Sequence, residues 1–126
     1  MNEIRKITTD KAPKAIGPYS QAVAVGNMVY TSGQIAIDPV TSNIEACDIK
    51  GQTEQVMKNL AAVLENAGTS LDNAVKTTCF LSDMADFADF NEVYAKYIKN
   101  APARSCVAAK ALPKGALVEV EVIAII

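Results

Sequence analysis

In the segment APARSCV, residues 101–107, one arginine stands just past a proline at the start of a β-prone run, with Cys106 two positions on. A guanidinium stays charged at any biological pH, and its planar fork matches a carboxylate through two parallel hydrogen bonds, which a lysine cannot copy. In a strand beginning near Ala103, Arg104 and Cys106 share a face, and the terminal strand that returns through Pro113-Lys114-Gly115 offers Glu119. Arg104 then either anchors a small acid or closes an ion pair inside the chain with Glu119 or Glu121, which on a surface contributes about 0–1 kcal/mol. Thiol chemistry at Cys106 ranks lower: Arg104 would favour the thiolate, but a strand cysteine is commonly buried and inert.

The chain has 126 residues and no histidine. Serine and cysteine nucleophiles usually rely on a histidine base, and the common catalytic zinc sites use at least one histidine, so both classes recede. Twelve basic residues face fourteen acidic ones for a net charge of −2, with no block of like charge, which disfavours nucleic acid as a partner. The first twenty residues hold no apolar signal core, and the apolar run Val122–Ile126 is far short of the ~20 residues of a membrane span. Three cysteines without a CxxC pair fit a reducing compartment, and a cytoplasmic location is expected.

The elements that must position these residues follow from periodicity. No repeat or linker divides the chain, so residues 1–126 are expected to form one domain. QAVAVGNMVYTSG reads as strands over about 20–25 and 28–33 joined at Gly26-Asn27, a pair suited to the positive-φ positions of a two-residue hairpin. Val56, Leu60, Val63, Leu64 and Ala67 recur at helical spacing, with Gly68 placed to end that helix. NAVKTTCFLS reads as a strand with Cys79 in the core, while Cys47 lies in a turn-rich stretch with no visible partner. A second helix sets Phe87, Phe90, Tyr94, Tyr97 and Ile98 along one stripe, capped by Asp83 or Asp86, which makes both tyrosines core residues. In the terminal strand Val118, Val120, Val122 and Ala124 point one way, and Leu117, Glu119, Glu121, Ile123 and Ile125 the other. With two helices covering one face of the sheet, apolar residues on the other face predict that a second copy packs there.

PARSCV and LPKGALVEVE, preceded by AIGPYSQA, VYTSGQI and DFADFNEVY in that order, resemble the RidA (YjgF) family of reactive intermediate deaminases from about Thr9 to the C terminus. The resemblance implies an α+β, chorismate mutase-like fold, a mixed sheet with two helices on one face, assembled as a homotrimer with a site in each cleft between subunits. It implies hydrolysis of enamines and imines such as 2-aminoacrylate and 2-iminopropionate to a 2-keto acid and ammonia, without cofactor or metal, protecting pyridoxal phosphate enzymes. Residue by residue, it assigns Arg104 to the substrate carboxylate, the Cys106 backbone carbonyl to the imine nitrogen or attacking water, and Glu119 to orienting that water. Tyr19, Ser32, Gly33 and Asn91 are the residues it places along the cleft. Tyr19 also lies outside any periodic run, which independently favours a functional role.

The chain departs from the common family pattern RSCVEVARLP by reading RSCVAAKALP, with Ala108 and Lys110 at the predicted rim, and the connection YIKNAPARS is about one residue shorter than in many relatives. Some relatives are described as endoribonucleases or translation inhibitors, a class that the net charge and missing histidine disfavour here. A protein that senses a keto acid or short fatty acid in the same cleft without turnover is the remaining alternative.

Overall fold

In the computed structural model, which describes residues 3–126, the chain opens on a strand that periodicity does not announce. This is β1 (Ile4–Ile7), paired antiparallel with β2 (Ala22–Val25). Its four residues carry Arg5 and Lys6 in the middle, so neither alternation nor an apolar run marks it. Gly26-Asn27 then closes a two-residue hairpin from β2 to β3 (Met28–Thr31), with Val25 opposite Met28. Gly26 takes φ +58°, while Asn27 is not among the positive-φ residues, so only one of the pair uses the left-handed region.

Helix α1 (Ile49–Asn66) starts seven residues before the apolar spacing begins at Val56, because Asp48 caps it by accepting the Gly51 N–H at 2.9 Å. It ends as Gly68 predicts: at φ +92° the Gly68 N–H donates to the Glu65 carbonyl and the Thr69 N–H to the Leu64 carbonyl, both at 3.0 Å. Val56, Met57, Leu60, Val63 and Leu64 are fully buried along its inner stripe, each contributing about 1.5–3 kcal/mol of apolar burial. Strand β4 (Ala74–Leu81) leads through a short 3₁₀ turn, capped by Asp83, into α2 (Phe87–Tyr97). The four residues after α2 carry Ala101 at φ +49° directly before Pro102, a costly backbone state for alanine, and Asn100 ties this link to the Ala74 carbonyl at 2.9 Å. Strand β5 (Ala103–Ala108) follows, and β6 (Val118–Ile125) ends the chain.

The sheet order is β1-β2-β3-β6-β4-β5, mixed because β4 and β5 run parallel. The return through Pro113-Lys114-Gly115 therefore does not lay Glu119 beside Arg104: β4 lies between β5 and β6. Strand β6, the longest apolar alternation, takes a central place with both edges paired, and α2 leaves β5 at the sheet margin. Val118, Val120, Val122 and Ala124 sit opposite Leu81, Cys79, Thr77 and Ala74, all buried under the two helices. On the other face Glu119, Glu121 and Ile123 stand opposite Phe80, Thr78 and Lys76, with Tyr30 41% exposed beside Ile123. The α+β class and the one-sided helix layer agree with the sequence, and the open face mixes apolar with charged side chains.

Candidate functional site

Arg104 stands opposite Thr77 in the register of β5 and β4, and Thr77 opposite Val122, so its side chain leaves the sheet on the helix side. There it meets α2. Its Nη1 donates to Asn91 Oδ1 at 2.7 Å, and its guanidinium carbon lies 5.0 Å from the ring centroid of Tyr94 and 5.5 Å from that of Phe87. Phe87, Asn91 and Tyr94 recur at helical spacing and present one face of α2 to the strand. Among the described residues the only ion pair is Lys50–Glu92, so neither Glu119 nor Glu121 neutralises the arginine, and the internal ion pair considered from sequence is absent.

Cys106 is half-buried opposite Cys79. Burial pushes its thiol above the ordinary range while Arg104 pulls the other way, and deeper burial pushes Cys79 up to about 12. Neither favours a thiolate. The backbone of Cys106 is another matter. The Ala109 N–H donates to the Leu81 carbonyl at 2.8 Å, and because N–H and C=O directions alternate along a strand, the groups of Arg104, Cys106 and Ala108 point away from β4, toward the unpaired edge. An acceptor carbonyl is thus turned to the open edge of the strand that carries Arg104.

Glu119 lies on the opposite face of the sheet. It borders a cleft of about 470 Å³ lined by Lys14, Ile16, Tyr19, Gly33, Ile35 and Lys114, among others. Its carboxylate lies against Gly33 so closely that a Cβ there would sit 2.0 Å from Oε2, so any larger residue at 33 would have to displace the carboxylate. Burial, and then the charge of Glu121, hold the Glu119 carboxyl above the usual carboxylate range. Tyr19 is 54% exposed at the cleft wall. Ser32 stands behind that wall, its hydroxyl donating to the Ser20 carbonyl at 2.6 Å and its N–H to the Gln21 carbonyl at 2.9 Å.

The sequence-predicted residues thus fall into two groups. Arg104, Cys106 and Asn91 gather at the sheet edge, whereas Glu119, Gly33 and Tyr19 gather at the cleft, with Ser32 behind. No single chain brings the two groups together. The cleft walls are irregular, and buried amides that sequence reasoning passed over hold them. Gln21 binds the backbone of Thr9, Ala12 and Pro13, Asn59 donates to the carbonyls of Ile35 and Ile37, and Gln52 spans from Ala46 to the Leu117 N–H. An amide on the core side of an amphipathic helix, as at Asn59, is the one signal that pointed to them. Among the described residues no cluster of metal-ligating side chains occurs, and no helix is long and apolar enough to cross a membrane.

Comparison with known proteins bears on the whole of this arrangement. The family model described as Endoribonuclease L-PSP matches residues 9–126. Over 119 residues the chain is 53% identical to a RutC family protein of Pyrococcus abyssi, covering 94% of each. It superimposes with a TM-score of 0.93 on RidA from the Antarctic bacterium Psychrobacter, at 49% identity, covering 97% of this chain and 99% of that one. A similar match, TM-score 0.92 at 41% identity, covering 97% of this chain and 98% of the other, is to E. coli TdcF with bound serine.

Proposed function

The chain belongs to the endoribonuclease L-PSP family, the RidA (YjgF) family, and on that premise we propose that it hydrolyses small 2-imino acids and their enamine tautomers to 2-keto acids and ammonia. The observation that supports this most directly is a guanidinium with no carboxylate partner, on a strand whose Cys106 carbonyl is turned to the open edge. A small acid fits it. Asn91 occupies Nη1, which leaves the other donors of the fork for a substrate carboxylate. The serine found in TdcF carries a carboxylate of the kind that Arg104 would hold on this reading.

In the reaction, the Cys106 carbonyl accepts a hydrogen bond from the protonated imine nitrogen, and Glu119 accepts one from a water placed over the imine carbon. Because that carbon is already electrophilic, positioning replaces a strong nucleophile, and histidine is not needed. The water oxygen bonds to carbon as the C=N π pair moves to nitrogen, and Glu119 takes a proton. Glu119 then returns that proton to the amine nitrogen, and the carbinolamine expels ammonia, the C–N bond breaking as the C=O forms and the hydroxyl proton passing by way of Glu119 to the departing ammonia. The sum is R–C(=NH₂⁺)–COO⁻ + H₂O → R–CO–COO⁻ + NH₄⁺. A carboxyl with a raised pKa suits this proton traffic.

Arg104 and Glu119 stand on opposite faces of one sheet, so the proposal requires that a second copy bring its β5 edge to the cleft of the first, in a homotrimer with sites between subunits. A substrate of about six heavy atoms has few contacts to offer, and enclosure between chains makes use of all of them. The test is to generate 2-aminoacrylate with a serine dehydratase and follow pyruvate release. Acceleration that Arg104→Ala abolishes is the expected result. No acceleration of any imine, with the keto acid bound but unturned, would favour a sensor. RNA degradation lost in Arg104→Ala would favour a ribonuclease.

A further inference from the structure

We propose that Phe87 and Tyr94 are positioning residues, whose ring faces hold the Arg104 guanidinium in its binding orientation before any substrate arrives. This rests on the function proposed above only for what the guanidinium then binds. The sequence stripe assigns both aromatics to the core. The structure gives their outer faces a second use.

An arginine on an edge strand, open to solvent, ordinarily samples many rotamers and must give up that freedom each time it binds. Arg104 has already lost it. Its guanidinium carbon is 5.0 Å from the Tyr94 centroid and 5.5 Å from the Phe87 centroid, both within cation–π range, and Asn91 sits between them on α2 with Oδ1 2.7 Å from Nη1. The platform itself is rigid. Tyr94 is 8% exposed, its ring packs 5.4 Å from that of Phe90, and its hydroxyl is 2.7 Å from Thr77 Oγ1. Thr77 is the register partner of Arg104, so the strand row that carries the arginine also fixes the ring against which it lies.

The chemistry of the cradle is as informative as its geometry. A carboxylate would orient the guanidinium equally well, but it would neutralise the charge and occupy the fork. Two rings and one amide oxygen constrain it while leaving its formal charge and its remaining donors for the ligand.

The test measures the affinity of 2-oxobutanoate by calorimetry and the side-chain NMR signals of Arg104, in wild type and in Tyr94→Phe, Tyr94→Leu, Phe87→Leu and Asn91→Asp. In wild type the Arg104 Nε–H proton is expected to be shifted upfield by the rings. Tyr94→Leu should lose most of that shift and raise Kd by about fivefold to tenfold, Phe87→Leu by less, and Tyr94→Phe should keep both near wild type. Asn91→Asp should weaken the acid more than Tyr94→Leu, because its carboxylate competes for the fork. Should Tyr94→Leu fail to fold, Phe87→Leu decides alone, since Phe87 is only half-buried. Folded leucine variants with unchanged shift and Kd would overturn the proposal. So would Tyr94→Phe losing as much as Tyr94→Leu, which would make the Thr77 hydrogen bond the essential contact. A wild type that binds no keto acid would count against the proposed function, while the ring shift would still decide the cradle.

Discussion

The edge group around Arg104 and the cleft group around Glu119 are built by different means. The first stands on a strand and one stripe of a helix, so each side chain is placed by regular backbone and by ring packing. The second stands largely on loops, held from behind by Gln21, Asn59 and Gln52, and Glu119 alone comes from a strand. The lesson is a division of labour. On the proposed function, the charge that would recognise what all 2-imino acids share sits on regular elements, and the surface that would meet what distinguishes them sits on segments that tolerate substitution.

The most severe way to break this division is to disable each group in a separate chain. Arg104→Ala and Glu119→Gln should each lower kcat/KM by roughly 100-fold or more. If the groups meet only across a subunit boundary, dissociating and reassembling a mixture of the two variants should restore roughly a quarter of wild-type activity, because that share of trimer sites regains both intact halves. No recovery in a verified mixed assembly would place both groups within one protomer's site.

The next effect belongs to Gly33. Gly33→Ala pushes a methyl into the Glu119 carboxylate, and a displacement of about 1 Å should reduce kcat by about 100-fold with little change in keto acid affinity. An equal loss of affinity would show that Gly33 serves binding instead. The pH profile sharpens the same point. Since burial raises the Glu119 pKa and the ionised form is the one that orients water, kcat/KM should climb with pH through a midpoint above the ordinary carboxylate value, and this limb should vanish in Glu119→Gln. A midpoint at or below the ordinary value would mean that the neighbouring copy's guanidinium lies on Glu119 itself.

Smaller effects are expected where only backbone acts. Cys106→Ser should retain activity within about tenfold of wild type, because the proposed contact is the backbone carbonyl and burial opposes the thiolate. Loss of all activity would assign the role to sulfur. Smallest of all, Ala101→Gly relieves a left-handed alanine at the entry to β5 but frees the unfolded chain, so the change in unfolding free energy should stay within about 1 kcal/mol.

Most of the architecture was legible because it is periodic. The stripe Val56, Leu60, Val63, Leu64 marks α1, Gly68 marks its end, and the alternation from Val118 marks β6. Strand β1 was not, since Ile4-Arg5-Lys6-Ile7 acquires strand character only by pairing with β2. The place of β6 was not legible either. Which neighbour a strand takes depends on what its two edges and two faces bury, and Pro113-Lys114-Gly115 looks the same whether or not β4 intervenes. For the site, the residues of the motifs were legible and their grouping was not. Arg104, Cys106 and Glu119 look like one constellation until the register sends Arg104 to one face and Glu119 to the other. Ile16 and Lys114 lie inside the motifs AIGPYSQA and LPKGALVEVE but were not singled out as cleft residues, and Lys14 carried no signal, being an ordinary residue of a turn-rich segment.

The outward-turned backbone of β5 bears on how the protein must be made in the cell. A lone protomer displays the unpaired backbone groups of Arg104, Cys106 and Ala108 along an edge strand that also exposes Val107, a combination that recruits stray extended peptides and seeds insoluble matter. If copies associate as proposed, that association races against precipitation, and the hazard peaks at low copy number, when newly synthesised chains wait longest to meet their own kind.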